Sequence, residues 1–114
     1  MFDLPDATVG PAEIPAGAVV VDVREEYERR AGHVPGSLHL PLDRLPEAAA
    51  HLPAAPLVLV CLGGTRAAFA ARALRSAGLD ARVLAGGMRG WVAAGLPLQP
   101  AGGTLAPHGR APAG

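Results

Sequence analysis

Apolar residues in this chain gather in short runs that turn signals separate. Val19-Val20-Val21-Asp22-Val23 is nearly all β-branched, which is how a strand buried on both faces of a parallel sheet reads. Leu57-Val58-Leu59-Val60 is a second such run, and Ser37-Leu38-His39-Leu40 and Arg82-Val83-Leu84-Ala85 are weaker ones. An edge strand is expected near Thr8-Val9, inside a proline- and glycine-rich lead-in over residues 1–17. Helical stretches lie between the runs. Residues 24–30 form a charged turn or two ended by Gly32, residues 42–52 a helix whose start Pro46 weakens, and residues 66–77 a helix stopped by Gly78. Phe69, Ala73, Leu74 and Ala77 make the expected apolar stripe of that helix, with Arg72 and Arg75 outside it. A last helix over residues 88–94 follows Gly86-Gly87 and closes at Gly95.

Strands alternating with helices at this spacing predict an α/β domain of three layers. Its centre is a mostly parallel sheet of about five strands, with helices on both faces. One domain covers residues 1–100. Beyond Pro100 the chain is glycine, proline and alanine with few anchors, so residues 101–114 are expected to form a flexible tail.

Composition narrows this picture. Half the chain is hydrophobic by count, but 24 of those residues are alanine, so the 28 Leu, Ile, Val and Phe residues must build the core. Ten acidic and ten basic residues cancel, and every basic residue is an arginine. The arginines are scattered, which leaves no electrostatic footprint for nucleic acid and little attraction to a membrane surface. No apolar run approaches the ~20 residues of a membrane span. Asp3 and Asp6 make the N-terminus acidic, unlike the start of a signal peptide. With a single, unpaired cysteine, a reducing cytoplasm is the expected setting, and an internal disulfide relay is excluded.

That cysteine is Cys61, and its position matters. It closes the Leu57-Val58-Leu59-Val60 strand, and Leu62-Gly63-Gly64-Thr65-Arg66 follow before the helix. A tight glycine loop between strand and helix turns several backbone N–H groups and a helix N-terminus toward one point, which favours an anion there. A thiol at that point is expected to ionise readily, the condition of a nucleophile. In parallel sheets ligands bind at the carboxyl ends of strands, where this loop sits.

Three further segments fall in order around the loop. Asp22-Val23-Arg24-Glu25 follows the first core strand, Gly32-His33-Val34-Pro35-Gly36-Ser37 comes next, and Gly86-Gly87-Met88-Arg89-Gly90-Trp91 with Gly95-Leu96-Pro97 closes the domain. Together with Cys61-x-x-Gly-x-Arg66 they resemble the rhodanese family of thiosulfate sulfurtransferases in single-domain form, over about residues 19–98. The resemblance implies that Cys61 is the catalytic cysteine and carries sulfur as a persulfide. It implies that Leu62, Gly63, Gly64, Thr65 and Arg66 cradle the transferred sulfur, chiefly through backbone amides, and that Arg66 helps hold an anionic substrate. No metal or organic cofactor is implied. The expected donor is thiosulfate or a persulfide, the acceptor cyanide, a thiol or a partner protein. Related phosphatases and arsenate reductases use a loop one residue longer, and the latter need a second cysteine, so sulfur transfer is favoured over phosphoryl transfer. The rival readings are a non-catalytic protein-binding module and a persulfide relay between proteins. Leu62 and Ala67 depart from the family's common pattern, in which a polar, basic or aromatic residue often stands at the first position and serine at the second.

Other polar residues read more simply. Asp22 and Arg24 are expected to bond neighbouring loops, and His33 to be a turn residue. His39, His51 and His108 lack the spacing of a metal site. Glu25, Glu26 and Glu28 read as a solvated helix face, and Trp91 and Phe69 as core.

Overall fold

Alternation along the most apolar strand builds the two sides of the core. Side chains of a strand point to opposite faces in turn. Leu57, Leu59 and the following Cys61 join one buried cluster, while Val58, Val60 and Leu62 join the other. The computed structural model describes residues 7–109; Asp3 and Asp6 and the end of the tail, residues 110–114, lie outside them. Strands β1 (Thr8–Val9), β2 (Val19–Asp22), β3 (Leu38–His39), β4 (Leu57–Val60) and β5 (Ala81–Leu84) form one sheet in the order β1-β5-β4-β2-β3. Every pairing is parallel, and β4 lies at the centre. All four of its residues are fully buried. Each such Val or Leu contributes about 1.5–3 kcal/mol relative to an exposed one.

Among the described residues four α-helices accompany the sheet: α1 (Glu26–Ala31), α2 (Leu45–Ala48), α3 (Thr65–Ser76) and α4 (Gly87–Ala93). Leu45 of α2 and Ala67, Ala70, Ala71 and Leu74 of α3 pack with Val21, Leu57 and Leu59 on one face. Met88 and Trp91 of α4 pack with Val58, Val60 and Leu84 on the other. Here α3 corrects the expected stripe. Its buried positions are Ala67, Ala70, Ala71 and Leu74, spaced as one helical face, whereas Phe69 is 60% exposed and Ala73 and Ala77 are exposed as well. Alanines let the helix sit close to the sheet, and a phenylalanine ring would hold it off. Trp91 is buried as expected, its Nε1–H donating to Pro97 O at 2.8 Å.

The helix expected over residues 42–52 breaks into a 3₁₀ turn at Leu42–Arg44, the single turn α2, and a second 3₁₀ turn at Ala49–His51. Pro46 has no N–H to continue a helix begun upstream, so it stands in the first turn of a new one. Residues 101–109 lie back against the domain. Thr104 N–H donates to Ala31 O at 2.8 Å, the Tyr27 hydroxyl to Pro107 O at 3.0 Å, and Leu105 packs on the α4 side of the core. His33 and Gln99 exchange backbone hydrogen bonds at 2.9 Å just before. This carries His108 to the carboxyl ends of the strands, beside Cys61.

Candidate active site

The carboxyl end of β4 delivers Cys61 into the loop that leads to α3. Gly64 occupies the N-cap with φ of 122°, a left-handed value that glycine tolerates best. That turn aims two amides at the sulfur. Gly64 N–H donates to Cys61 Sγ at 3.0 Å, and Ala67 N–H, from the third position of the helix, at 3.4 Å. Cys61 therefore caps α3 as a serine or aspartate side chain would. Sulfur there faces the positive end of a twelve-residue helix. Of the five loop residues only Gly64 donates to Sγ here; the second donor is Ala67, one position beyond the loop. An amide carries no sequence signal, so nothing in the residue type pointed to it.

A second helix end holds the loop from behind. Met88 N–H, in the first turn of α4, donates to Cys61 O at 2.8 Å, and Arg89 N–H to Leu62 O at 3.2 Å. This approach is possible because residue 87 is glycine: a Cβ there would stand 2.5 Å from Cys61 O and 2.6 Å from Leu62 O. The carbonyls of Cys61 and Leu62 are thus engaged on the α4 side while Gly64 N–H stays turned to the sulfur.

A cavity of about 420 Å³ opens over Cys61, with Gly63, Thr65, Arg66, Arg89 and His108 in its walls. Leu62 also lines it, though its side chain is mostly buried in the core. Thr65 is exposed, and its side chain does not cap α3.

Arg66 is committed within the protein. Its Nη1 and Nη2 donate to Glu28 Oε1 and Oε2 at 2.8 and 2.9 Å. Glu28 is fully buried and also accepts from Glu25 N–H at 3.1 Å. It is not the solvated residue the charge run suggested: of Glu25, Glu26 and Glu28, it alone turns inward. Burial raises the cost of the Glu28 carboxylate, but the bonds from Arg66 and Glu25 N–H outweigh it and hold the carboxyl below its ordinary range. Burial likewise works against the Arg66 charge, and the Glu28 carboxylate overcomes it, so the guanidinium binds its proton more tightly than usual.

Asp22 and Arg24 form a second buried pair. Arg24 Nε and Nη2 donate to Asp22 Oδ1 and Oδ2 at 2.9 and 2.8 Å, and Nη2 also reaches Gly32 O at 2.8 Å. The pair ties the end of β2 to the turn after α1. His33 Nδ1 contacts Arg29 O at 3.0 Å, and His39 Nε2 contacts Arg24 O at 2.8 Å. Glu25, Glu28 and His108 each bring a potential ligand atom within 4.8 Å of the others. Both Glu28 oxygens are already held by Arg66, so the trio lacks a free buried carboxylate for a cation.

A parallel sheet with a cysteine cradled at the end of its central strand defines an α/β protein with its candidate site at the strand ends. The family profile of the rhodanese-like domain matches residues 11–94, and the chain belongs to that family. It is 39% identical over 87 residues to the HTH-type transcriptional regulator Rv0324 of Mycobacterium tuberculosis, a match over 73% of this chain and 38% of that protein. The chain thus spans well under half of that relative's length. It is 39% identical over 79 residues to the thiosulfate sulfurtransferase GlpE of Stutzerimonas stutzeri, covering 67% of this chain and 72% of that one. Among solved structures, a rhodanese-related protein from Thermoplasma volcanium superposes with a TM-score of 0.76 at 27% identity, over 80% of this chain and 95% of that one. Membership supports a sulfurtransferase-type or related function.

Proposed function

We propose that this protein moves sulfane sulfur from thiosulfate, or from a persulfide donor, to a thiophilic acceptor through a persulfide on Cys61. The observation that carries the reading is the environment of Sγ: two amide donors at the N-terminus of α3, under an open cavity. In the first half-reaction the Cys61 thiolate attacks the outer sulfur of thiosulfate. An S–S bond forms to Cys61, the S–S bond of thiosulfate breaks, and sulfite leaves with the electron pair. In the second, cyanide or a thiolate attacks the outer persulfide sulfur. Thiocyanate or a new persulfide departs, and the Cys61 thiolate returns. Both charge-bearing sulfur states sit among preorganised amides, which stabilise them without rearranging. This is covalent catalysis in two steps. The reaction fits a reducing cytoplasm, where a lone thiol stays unpaired.

Initial rates of thiocyanate formation at varied thiosulfate and cyanide test the reading. Parallel double-reciprocal lines are expected. Intersecting lines would point to a ternary complex and contradict a free persulfide intermediate. A second reading, a binding module or persulfide relay acting on proteins, draws on the likeness to a transcriptional regulator longer than this chain. It predicts sulfur loading on Cys61 with slow turnover on small acceptors, or no loading at all.

A further inference from the structure

An anionic sulfur donor needs a cation to draw it to the thiolate, and three groups in the wall of the Cys61 cavity could supply one. Arg66 is one, but both of its terminal nitrogens are bonded to Glu28, so the pair presents little net charge. His108 is another, and it lies with the carboxylates of Glu25 and Glu28 within 4.8 Å. Those two acids face the same corner and offset whatever positive charge it holds. Arg89 differs from both. It is exposed on α4, and among the described residues its guanidinium makes no hydrogen bond or ion pair. Its position is nonetheless fixed at the base, because its backbone N–H is bonded to Leu62 O at 3.2 Å. Its side chain crosses toward the loop: a Cβ built on Gly63 would meet Arg89 Nη1 at 3.5 Å.

The geometry points to Arg89 as the residue that recruits the anionic sulfur donor to Cys61, in place of Arg66. A guanidinium presents parallel N–H donors that match two oxygens of a sulfonate-type group, and an uncommitted one has them free. Arg66 instead acts through Glu28, holding the start of α3 to α1. The inference rests on the reading of the cavity as a donor site, but its test does not require sulfur transfer.

Alkylation of Cys61 by iodoacetate and by iodoacetamide compares an anionic with a neutral reagent of similar size at the same sulfur. Arg89→Gln is expected to slow iodoacetate about fivefold, the effect of one partly exposed ion pair of about 1 kcal/mol, and to leave iodoacetamide unchanged. Arg89→Lys should recover most of the iodoacetate rate at low salt, and the difference between wild type and Arg89→Gln should shrink as salt is raised. In turnover the same substitution should raise the KM for thiosulfate by a similar factor. Equal slowing with both reagents would mean that Arg89 only supports the loop, and no slowing with either would place recruitment elsewhere. Both results overturn the assignment. Iodoacetate-selective slowing in Arg89→Gln, in a protein that never accepts sulfur, would instead remove the proposed function and leave Arg89 as the residue that draws anions to Cys61.

Discussion

Two segments of this protein share one grammar and do different work. β4 runs into Gly63-Gly64 and then α3; β5 runs into Gly86-Gly87 and then α4. Both helix N-termini converge on residues 61–67. The first turns its amides toward Cys61 Sγ, and the second turns its amides toward the carbonyls of Cys61 and Leu62. The glycines differ accordingly. Gly64 has open space where a Cβ would be and is required by its backbone angle alone, whereas Gly87 combines positive φ with the close passage of the loop's carbonyls. One junction presents the sulfur and the other holds its shape.

Substitutions can separate the two junctions, and the largest effect is expected at the sulfur. Cys61→Ser should fold with an unchanged denaturation midpoint and lose sulfur transfer completely, as thiocyanate assays would read. Gly87→Ala should be the most damaging change at the supporting junction. Its Cβ would stand 2.5 Å from Cys61 O, so the loop or α4 must shift. A loss of about 3 kcal/mol in urea unfolding is expected, with a large fall in activity. Glu28→Ala leaves Arg66 half-buried and unpaired, and a loss of about 2–3 kcal/mol should follow, since Arg66 keeps some access to water. Gly64→Ala should cost about 1–2 kcal/mol, from strain at φ of 122° only, and should keep the Sγ hydrogen bond and most of the activity.

Acid should act through the same pair. The Glu28 carboxyl titrates lower in the folded protein than in the unfolded chain, so its stabilising contribution is complete above an unfolded value of about 4.3. That contribution falls away as the pH drops through the folded value. Urea midpoints measured from pH 7 to 3 should fall less steeply in Glu28→Gln than in wild type.

The strand pattern carried most of the fold in the sequence. Buried parallel strands need uninterrupted apolar residues, and β2 and β4 show them plainly. Cys61 and its glycine loop were legible because few other arrangements place a thiol between strand and helix. What escaped the sequence depends on partners far along the chain. Glu28 looks like its neighbours until α1 is packed beside Arg66, 38 residues later. Arg89 and His108 reach the cavity only because α4 and the returning C-terminal segment are brought to the same end of the sheet. The α3 stripe misled because Phe69 is the largest apolar residue of that helix, yet close packing against the sheet selects alanine.

The proposed function depends on sulfur being carried by Cys61. Its most direct test is the intact mass of the protein after incubation with thiosulfate, before and after a reducing thiol, alongside Cys61→Ser. A gain of about 32 Da, one sulfur atom, is expected on the wild type alone, removed by the thiol. No gain from thiosulfate or from a persulfide donor, or the same gain on Cys61→Ser, would contradict it.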